Sequence, residues 1–423
     1  MTWTLTALPV TLLLIGMPIF GILLTGAVVT FILYLTVPSV ALHQIMFGGL
    51  ENYALLAVPF FIFAGELMGV GGIADKLIAW VLALIGRIPG SLGVATVGAS
   101  TLIGAISGAS VATVAAVGKS LYPGLIRDGY GQRFSAGLVS SSGAIDILIP
   151  PSIAMILYGA AGEQSIPKLF IAGVLPGLLL ALMMSIFVVV WAIRKDIPRR
   201  GHFDLKYFLR TTLGAGPALF MPVFVLAGIY FGYSSPTEAG GFACVYAMIV
   251  GRFVYRTMTW NDVLRAATRS AMLTAQILVI VATASLFSWI LTVSGVPQML
   301  AAGLQALKLD AWLFLLVVNI FLLMVGCVLD PTSAILVLTP LLMPLVKVVG
   351  IDPIHFGIVM CVNIAIGMFL PPFGLNIMVA RSVLGVPLET IYRGVLPFAV
   401  VQIATLLIIT YWPELSLILT RAI

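Results

Sequence analysis

The chain has 423 residues, of which 61% are hydrophobic and only 9% are charged. A soluble domain carries about 25% charged residues, so this composition excludes a globular protein with water over most of its surface. The net charge of +6 does not indicate a nucleic-acid partner. Its basic residues concentrate in residues 194–210 and 252–269, as they do in the cytoplasmic loops of membrane proteins. We therefore expect a multi-pass protein in the lipid bilayer.

The first apolar stretch, residues 4–36, is interrupted at Gly16-Met17-Pro18. The second half of the chain begins with two spans and a surface helix, and we expect the first half to match it. Residues 4–36 are therefore predicted to form two short spans, and residues 38–50 a helix on the outer membrane surface. This arrangement places the N-terminus outside.

The segment between Arg87 and Arg127 is apolar except for Lys119. Because basic residues mark both of its ends, both ends are expected on the cytoplasmic side, and the chain must turn back inside the membrane. The small residues from Gly104 to Ala116 suit such a turn, since its unpaired backbone groups must be satisfied by protein or water. We predict a re-entrant helical hairpin over residues 91–127.

A broken helix follows the first hairpin. It is predicted over residues 133–161 and contains the proline pair Pro150-Pro151. A span over residues 167–193 then returns the chain to the cytoplasm, where the basic segment 194–212 is predicted to be a loop.

The second half, residues 213–423, has the same order of elements. They are two spans, an amphipathic surface helix, a third span, a hairpin and a broken helix, predicted at residues 213–231, 238–255, 259–270, 271–293, 311–349 and 354–385. The C-terminus is expected outside, like the N-terminus.

Glycines and prolines that interrupt helices recur 221 positions apart in the two halves. The matching positions are Pro123 and Pro344, Gly129 and Gly350, and Pro150-Pro151 and Pro371-Pro372. An odd number of crossings lies between the two hairpins, so the second hairpin must be inverted relative to the first. The predicted fold is an all-α membrane protein with roughly ten transmembrane helices, two re-entrant hairpins and two inverted repeats, residues 1–193 and 213–423. Inverted repeats with interrupted helices are typical of secondary transporters, whose site lies near the membrane midplane.

The proline pairs predict a cation site. Each pair removes amide donors from its helix, so the preceding carbonyls lose their partners and are costly at membrane depth unless something coordinates them. A bare cation such as Na⁺ would do so. Its shell could be completed by the nearby hydroxyls of Ser107, Ser110, Thr332 and Ser333. The simpler alternative, a proline kink satisfied by neighbouring helices, is less favoured because two matched breaks each follow a hairpin.

Polar residues inside the membrane are candidates for function. Asp146 precedes the first proline pair and Asp330 lies at the second hairpin tip, so either could help to hold a cation. Asp330 could instead cap the helix that starts at Pro331. Asn363 and Asn376 flank the second break. The helix N-termini at the tips would favour an anionic cargo.

Enzymatic function finds little support in the sequence. Gly118-Lys119-Ser120 matches the end of a phosphate-binding loop, but Thr113 stands where that motif requires glycine. The three histidines are far apart, and no hydrolase or metalloprotease motif is present. We expect a transport protein without catalytic residues.

Four segments carry a family resemblance: GAISGASVATVAAVGKSLYPGLIRDGY, ILIPPSI, YFGYSSPTEAG and GIDPIHFGIVMCVNIAIGMFLPPFGLN. With PFFIFAGELM near the start, they resemble the large membrane subunit of TRAP (tripartite ATP-independent periplasmic) transporters, in the ion transporter superfamily. The resemblance implies a Na⁺-driven elevator importer in the bacterial inner membrane. It also implies a periplasmic binding protein that delivers an organic acid (a C4-dicarboxylate, sialic acid or similar carboxylate) and a small four-helix membrane subunit.

The resemblance also implies which residues bind ions and substrate. The first Na⁺ site would use Ser107, Gly108, Ser110, Asp146, Ile149 and Pro150, and the second Gly326, Thr332, Gly367 and Leu370. The substrate would lie against Ser107, Ala109, Ser110, Pro151, Ser152, Asp330, Thr332, Ser333, Pro372 and Asn376. Residues 4–50 and 213–270 would form the static scaffold.

This chain departs from the family pattern at four positions. The family often reads SGSAVAD where this chain reads SGASVAT, so Ala109 and Thr113 replace polar residues. A glycine is frequent at the position of Asp146, and Leu370 stands where threonine is usual. Three alternatives stay open: a stand-alone carboxylate symporter with neither binding protein nor small subunit, an intramembrane enzyme, and a channel.

Overall fold

The computed structural model describes residues 2–86, 88–197, 204–306 and 310–422. This described part of the chain is helical and contains no β-strand, which confirms the predicted all-α class. Arg87 and residues 198–203 of the predicted cytoplasmic loop lie outside it.

The described residues of the first half form eleven α-helices and two short 3₁₀ segments. The helices are α1 (Thr2–Leu5), α2 (Ala7–Leu14), α3 (Ile19–Tyr34), α4 (Val40–Gly48), α5 (Ala57–Val70), α6 (Ile73–Ile85), α7 (Ser91–Ser107), α8 (Ser110–Arg127), α9 (Gln132–Ser142), α10 (Ile153–Ala161) and α11 (Ile166–Arg194). The 3₁₀ segments, Tyr53–Leu56 and Gly143–Leu148, precede α5 and follow α9.

In the part of the second half that the structure describes there are ten α-helices. They are α12 (Leu205–Tyr230), α13 (Pro236–Ile249), α14 (Trp260–Val293), α15 (Val296–Ala306), α16 (Ala311–Gly326), α17 (Pro331–Val348), α18 (Pro353–Gly367), α19 (Leu375–Leu384), α20 (Leu388–Tyr411) and α21 (Glu414–Leu417). A π-helical turn, Val250–Val254, extends α13, and a 3₁₀ turn, Leu419–Ala422, ends the described chain.

Six helices of the described chain are long and apolar enough to cross a membrane on their own, and a seventh crossing is obtained if α9 and α10 count as one span bent by 45°. This is fewer than the roughly ten predicted. The difference arises because α3, α7, α16 and α18 are apolar but only 15–17 residues long. A full crossing needs about 20 residues, so these helices fall below the length of a complete span.

The predicted surface helix over residues 259–270 is not a separate element, since one uninterrupted helix, α14, runs from Trp260 to Val293. The sequence contains no glycine or proline between these ends that would break it. In the first half, Gly48 and Gly49 end the corresponding surface helix α4 before α5 begins. The boundary placed at residue 270 is therefore wrong.

The predicted loop over residues 194–212 also ends earlier than expected. The side chain of Asp204 accepts a hydrogen bond of 2.9 Å from the backbone amide of Lys206, and this N-cap starts α12 at Leu205. The last part of the predicted loop, residues 205–212, is therefore helical.

The core joins the two halves through α9 and α20. A methyl group on Gly137 of α9 would overlap the backbone of Gly394 in α20, and one on Gly394 would overlap the carbonyl of Arg133. Such a close approach is possible only without a side chain at either position. Nearby, the buried side chain of Gln402 in α20 donates to the Ser141 carbonyl at 2.9 Å.

Candidate functional site

The first hairpin tip lies directly against the first break. Helix α7 ends at Ser107, and Gly108 turns the chain in the left-handed region (φ 57°) before α8 begins at Ser110. A Cβ atom on Gly108 would lie 2.9 Å from the Pro151 carbonyl oxygen. Glycine is therefore required here both by the turn and by the contact.

A second glycine contact brings Asp146 into the same site. A Cβ atom on Gly104, in the last turn of α7, would lie 2.7 Å from the Cα atom of Asp146. This packing places the Asp146 carboxylate among the hydroxyls of the tip. Oδ2 accepts hydrogen bonds from Thr113 at 2.5 Å and from Ser107 at 3.3 Å.

The other carboxylate oxygen of Asp146 has no partner. Asp146 is fully buried, and its Oδ1 atom makes no hydrogen bond in the described structure. An unpaired buried polar atom costs about 1–3 kcal/mol, and a buried carboxylate is costly unless it is paired or coordinated. Oδ1 is thus a hard oxygen ligand available to a cation.

Ser110 belongs to the first tip but does not bond to Asp146. Its hydroxyl donates to the Gly143 carbonyl at 2.7 Å and accepts from the Asn376 side-chain amide at 2.8 Å. Asn376 lies in the first turn of α19, after the second break. The structure therefore brings Ser110 and Asn376 together, although they come from different halves of the chain.

The first break is buried throughout. Residues 149–152 are all enclosed, and the Pro150-Pro151 bond is cis. The Ile149 amide donates to the Asp146 carbonyl at 3.2 Å. Ser152 caps α10 by accepting from the Met155 amide at 3.5 Å. These backbone groups are less free than the sequence predicted, but each carbonyl oxygen has a second lone pair.

The second tip and break meet through two glycines. A Cβ atom on Gly326, the last residue of α16, would lie 3.1 Å from the Cα atom of Gly367, the last residue of α18. The carbonyl of Gly367 accepts from the Leu370 amide at 3.0 Å, and the carbonyl of Leu370 accepts from Gly374 at 3.2 Å. The predicted carbonyl ligands are again partly used inside the loop.

Asp330 acts as the cap that the sequence left as an alternative. Its carboxylate accepts from the Ser333 amide at 3.0 Å and from the Ser333 hydroxyl at 2.5 Å, at the start of α17. Both oxygens of Asp330 are therefore satisfied locally. Thr332, the hydroxyl predicted for the second cation site, is half-buried, and Pro372 is exposed.

Sequence reasoning missed two contributors to the first site. Thr113 entered only as a departure from a motif, yet its hydroxyl is the nearer donor to Asp146. Gly143 was not considered, although its carbonyl accepts from Ser110. Thr113 follows Ser110 by three residues and so shares its helix face, a spacing that could have indicated it.

A cavity of about 390 Å³ lies apart from these contacts, between α4, α10, α14 and α17. None of the predicted site residues lines it. The tip-and-break contacts, and not this cavity, are therefore the candidate functional site.

Comparison with known proteins identifies the family. The model of the family described as "Tripartite ATP-independent periplasmic transporter, DctM component" matches residues 6–415. The chain belongs to this family. It is thus a subunit of a multi-pass membrane transporter, which confirms the resemblance found in the sequence.

Two relatives show how closely the chain matches other members. It is 44% identical over 374 residues to the C4-dicarboxylate TRAP transporter large permease protein DctM of Pseudomonas aeruginosa, covering 88% of each chain. It is 37% identical to the isethionate TRAP transporter permease protein DctMQ of Oleidesulfovibrio alaskensis, covering 96% of this chain but 64% of that one.

A solved structure shares the fold. The Alcanivorax borkumensis YdaH transporter, described as having an unusual topology, superposes with a TM-score of 0.61 at 16% sequence identity. The match covers 96% of this chain and 98% of that one. At this identity the likeness concerns the fold alone.

Proposed function

We propose that this chain is the large membrane subunit of a Na⁺-coupled importer for a small organic acid in the bacterial inner membrane. The observation that carries the proposal is the buried, unpartnered Oδ1 atom of Asp146, held where the first hairpin tip meets the first break. Na⁺ prefers hard oxygen ligands. Here the other oxygen of the same carboxylate, Oδ2, accepts from the hydroxyls of Ser107 and Thr113, and the break begins only a few residues further along the chain.

The matched contacts of the two tips support the inverted repeat. In each half a glycine near the end of the first hairpin helix packs on the residue that lies four positions before the proline pair: Gly104 on Asp146, and Gly326 on Gly367. In each half a buried side-chain hydrogen bond also joins the first hairpin helix to the helix that precedes the break. These bonds are Ser100–Ser142 at 2.9 Å, between α7 and α9, and Asn319–Asn363 at 2.7 Å, between α16 and α18. We propose two Na⁺ sites, one at each contact.

The substrate would be a small organic anion. C4-dicarboxylate and isethionate, which the relatives' names specify, are both small anions. The helices α8, α10, α17 and α19 start at the tips and breaks, and their N-termini present backbone amides that favour anions. The substrate contacts proposed from the sequence lie at these four helix starts.

Membership in a tripartite transporter family supports two further subunits and a mode of movement. A periplasmic binding protein would deliver the acid, and a small membrane subunit would bind the static helices within residues 4–50 and 213–270. The DctMQ relative is longer than this chain, and its additional length would hold such a subunit in fused form. Hairpins and breaks would move together as an elevator, and both termini would face the periplasm.

Uptake into vesicles tests this proposal. The chain and its small subunit are reconstituted, the binding protein is added outside, and uptake of labelled organic acids is measured with an inward Na⁺ gradient. Each net charge that moves inward gains about 2.3 kcal/mol per 100 mV, so a negative interior should speed uptake if more Na⁺ charge than acid charge moves.

The matched control replaces Na⁺ with choline at equal ionic strength. Uptake should then fall to background. Full uptake in choline, driven by a proton gradient alone, would refute Na⁺ coupling, and uptake without the binding protein would favour the stand-alone symporter.

A further inference from the structure

Asn376 is bonded both to the second break and to the first hairpin tip. Its backbone amide donates to the Met368 carbonyl at 2.9 Å, and this bond spans the loop that contains Pro371-Pro372. Inside the loop, Gly374 donates to the Leu370 carbonyl at 3.2 Å. The backbone position of Asn376 is therefore fixed by the conformation of the second break.

The side chain of the same residue holds the first tip. Its amide nitrogen donates to the Ser110 hydroxyl at 2.8 Å and to the Ser140 carbonyl at 3.3 Å. Ser110 in turn donates to the Gly143 carbonyl at 2.7 Å, at the start of the 3₁₀ segment that carries Asp146. The connection thus runs from the second break to the element that holds the carboxylate.

Burial makes this connection stiff. Asn376 and Ser140 are fully buried, and Ser110 nearly so. Water cannot readily replace a lost bond there, so each displaced donor or acceptor would remain unpaired at a cost of about 1–3 kcal/mol. A displacement of the Met368–Asn376 loop must therefore be followed by Ser110 and Gly143, or the bonds break.

We infer that Asn376 couples the second break to the first hairpin tip, so that a cation ordering the second break also orders the first tip and strengthens binding there. The inference rests on the proposed Na⁺ sites. Asn376 acts as a positioning residue, since it works through Ser110 and the loop backbone. Coupling of this kind is reciprocal between sites and raises the Hill coefficient above 1, with the number of coupled sites as its upper limit.

Direct binding of radioactive Na⁺ tests the coupling without knowledge of the substrate. The complex of the full chain with its small subunit is titrated with ²²Na⁺ in a scintillation proximity assay, with choline as the balancing ion. We expect a Hill coefficient above 1 for the wild type. Asn376→Ala should lower it to about 1 and raise the half-saturating concentration about fivefold or more.

Two further variants separate coupling from folding. Thr30→Val removes another buried side-chain donor, a hydroxyl that bonds Thr4 and the Gly26 carbonyl in α1 and α3 and belongs to neither tip nor break, and should leave the Hill coefficient unchanged. If Asn376→Ala does not co-purify with the small subunit, Asn376→Leu keeps a similar side-chain volume, removes the same bonds and should give the same loss of coupling.

The outcomes distinguish the two proposals. If the wild type binds no Na⁺, the proposed function fails. If it binds Na⁺ with a Hill coefficient of 1, or if the folded Asn376 variants keep the wild-type coefficient, Na⁺ binding stands and the coupling role of Asn376 is refuted.

Discussion

The two breaks share a cis bond between their paired prolines, but their surroundings differ. Residues 149–152 of the first break are buried, whereas in the second break Pro372 is exposed and Phe373 is 62% exposed. Four positions before its proline pair, the first break has Asp146 and the second has Gly367. The first contact therefore includes a carboxylate, and the second is formed by backbone alone.

This difference implies a division of roles between the breaks. In the proposed Na⁺ sites, a buried carboxylate held by hydroxyl donors would bind a cation more strongly than backbone groups alone, so we expect the first site to dominate ion affinity. The second break, open on one side and held mainly by its own amides, can change shape at lower cost. We expect substitutions at the two breaks to have effects of different size.

The largest effect is expected where the second tip meets its break. Gly367→Ala places a methyl group against the backbone of Gly326, whose Cα atom would lie 2.5 Å away. Overpacking of this kind costs about 1–3 kcal/mol, and here it forces the tip off the break. We expect a lower melting temperature of the complex and loss of uptake.

The control for that substitution is Gly69→Ala in α5, because nothing in the described structure lies within 4 Å of the position of its Cβ atom. It should be neutral or slightly stabilising, since alanine favours a helix over glycine. Wild-type uptake by Gly367→Ala would show that the tip does not need to touch the second break.

Removal of the carboxylate should have the next largest effect. Asp146→Asn keeps the shape of the side chain but removes a charge that, about 4 Å from a cation, contributes about 4 kcal/mol at an effective dielectric constant of 20. We expect at least about a tenfold rise in the Na⁺ concentration for half-maximal uptake. The measurement is a Na⁺ titration of uptake at constant ionic strength.

Asp330→Asn is the matched substitution at the second tip. Because Asp330 caps α17 and bonds Ser333, its replacement should change stability by about 1 kcal/mol or less and Na⁺ dependence little. Equal shifts for the two variants would contradict the division of roles.

A smaller effect is expected from the hydroxyl that positions the carboxylate. Thr113→Val removes the hydrogen bond to Asp146 Oδ2, a contribution of about 0.5–1.5 kcal/mol, so half-saturation by Na⁺ should rise between about twofold and tenfold. Thr96→Val serves as control, because among the described residues the buried Thr96 hydroxyl bonds only within its own helix, to the Leu92 carbonyl at 2.8 Å. An equal shift for both variants would place the effect in the helix and not in the site.

Substitution of Phe373 in the exposed second break should change uptake least. It should nevertheless reveal a clear difference in solvent access between the two breaks. In a variant whose three natural cysteines are replaced, Phe373→Cys should react rapidly with a thiol reagent in the purified complex, and Ser152→Cys slowly. The rates are followed by mass spectrometry. Similar rates would show that the two breaks are equally accessible to the reagent and would contradict the division of roles.

The sequence predicted those parts of the fold that depend on local chemistry. Glycine and proline act within a few residues, so the helix ends near Gly108 and near both proline pairs could be located from their positions. The partners of Asn376 could not, because Ser110 lies in the other half of the chain and only the folded structure brings them together. The continuity of α14 was missed because amphipathicity was given more weight than the lack of a breaking residue.

The crossing of α9 and α20 has a consequence for movement in the membrane. When one helix slides along another, each point of contact is carried past the neighbouring residues of the partner helix. Gly137 and Gly394 meet as bare backbones with no side chain to retract. A shift of one position would bring a residue with a side chain into a space that admits only glycine. We therefore expect α9 and α20 to keep this contact in any movement of the protein.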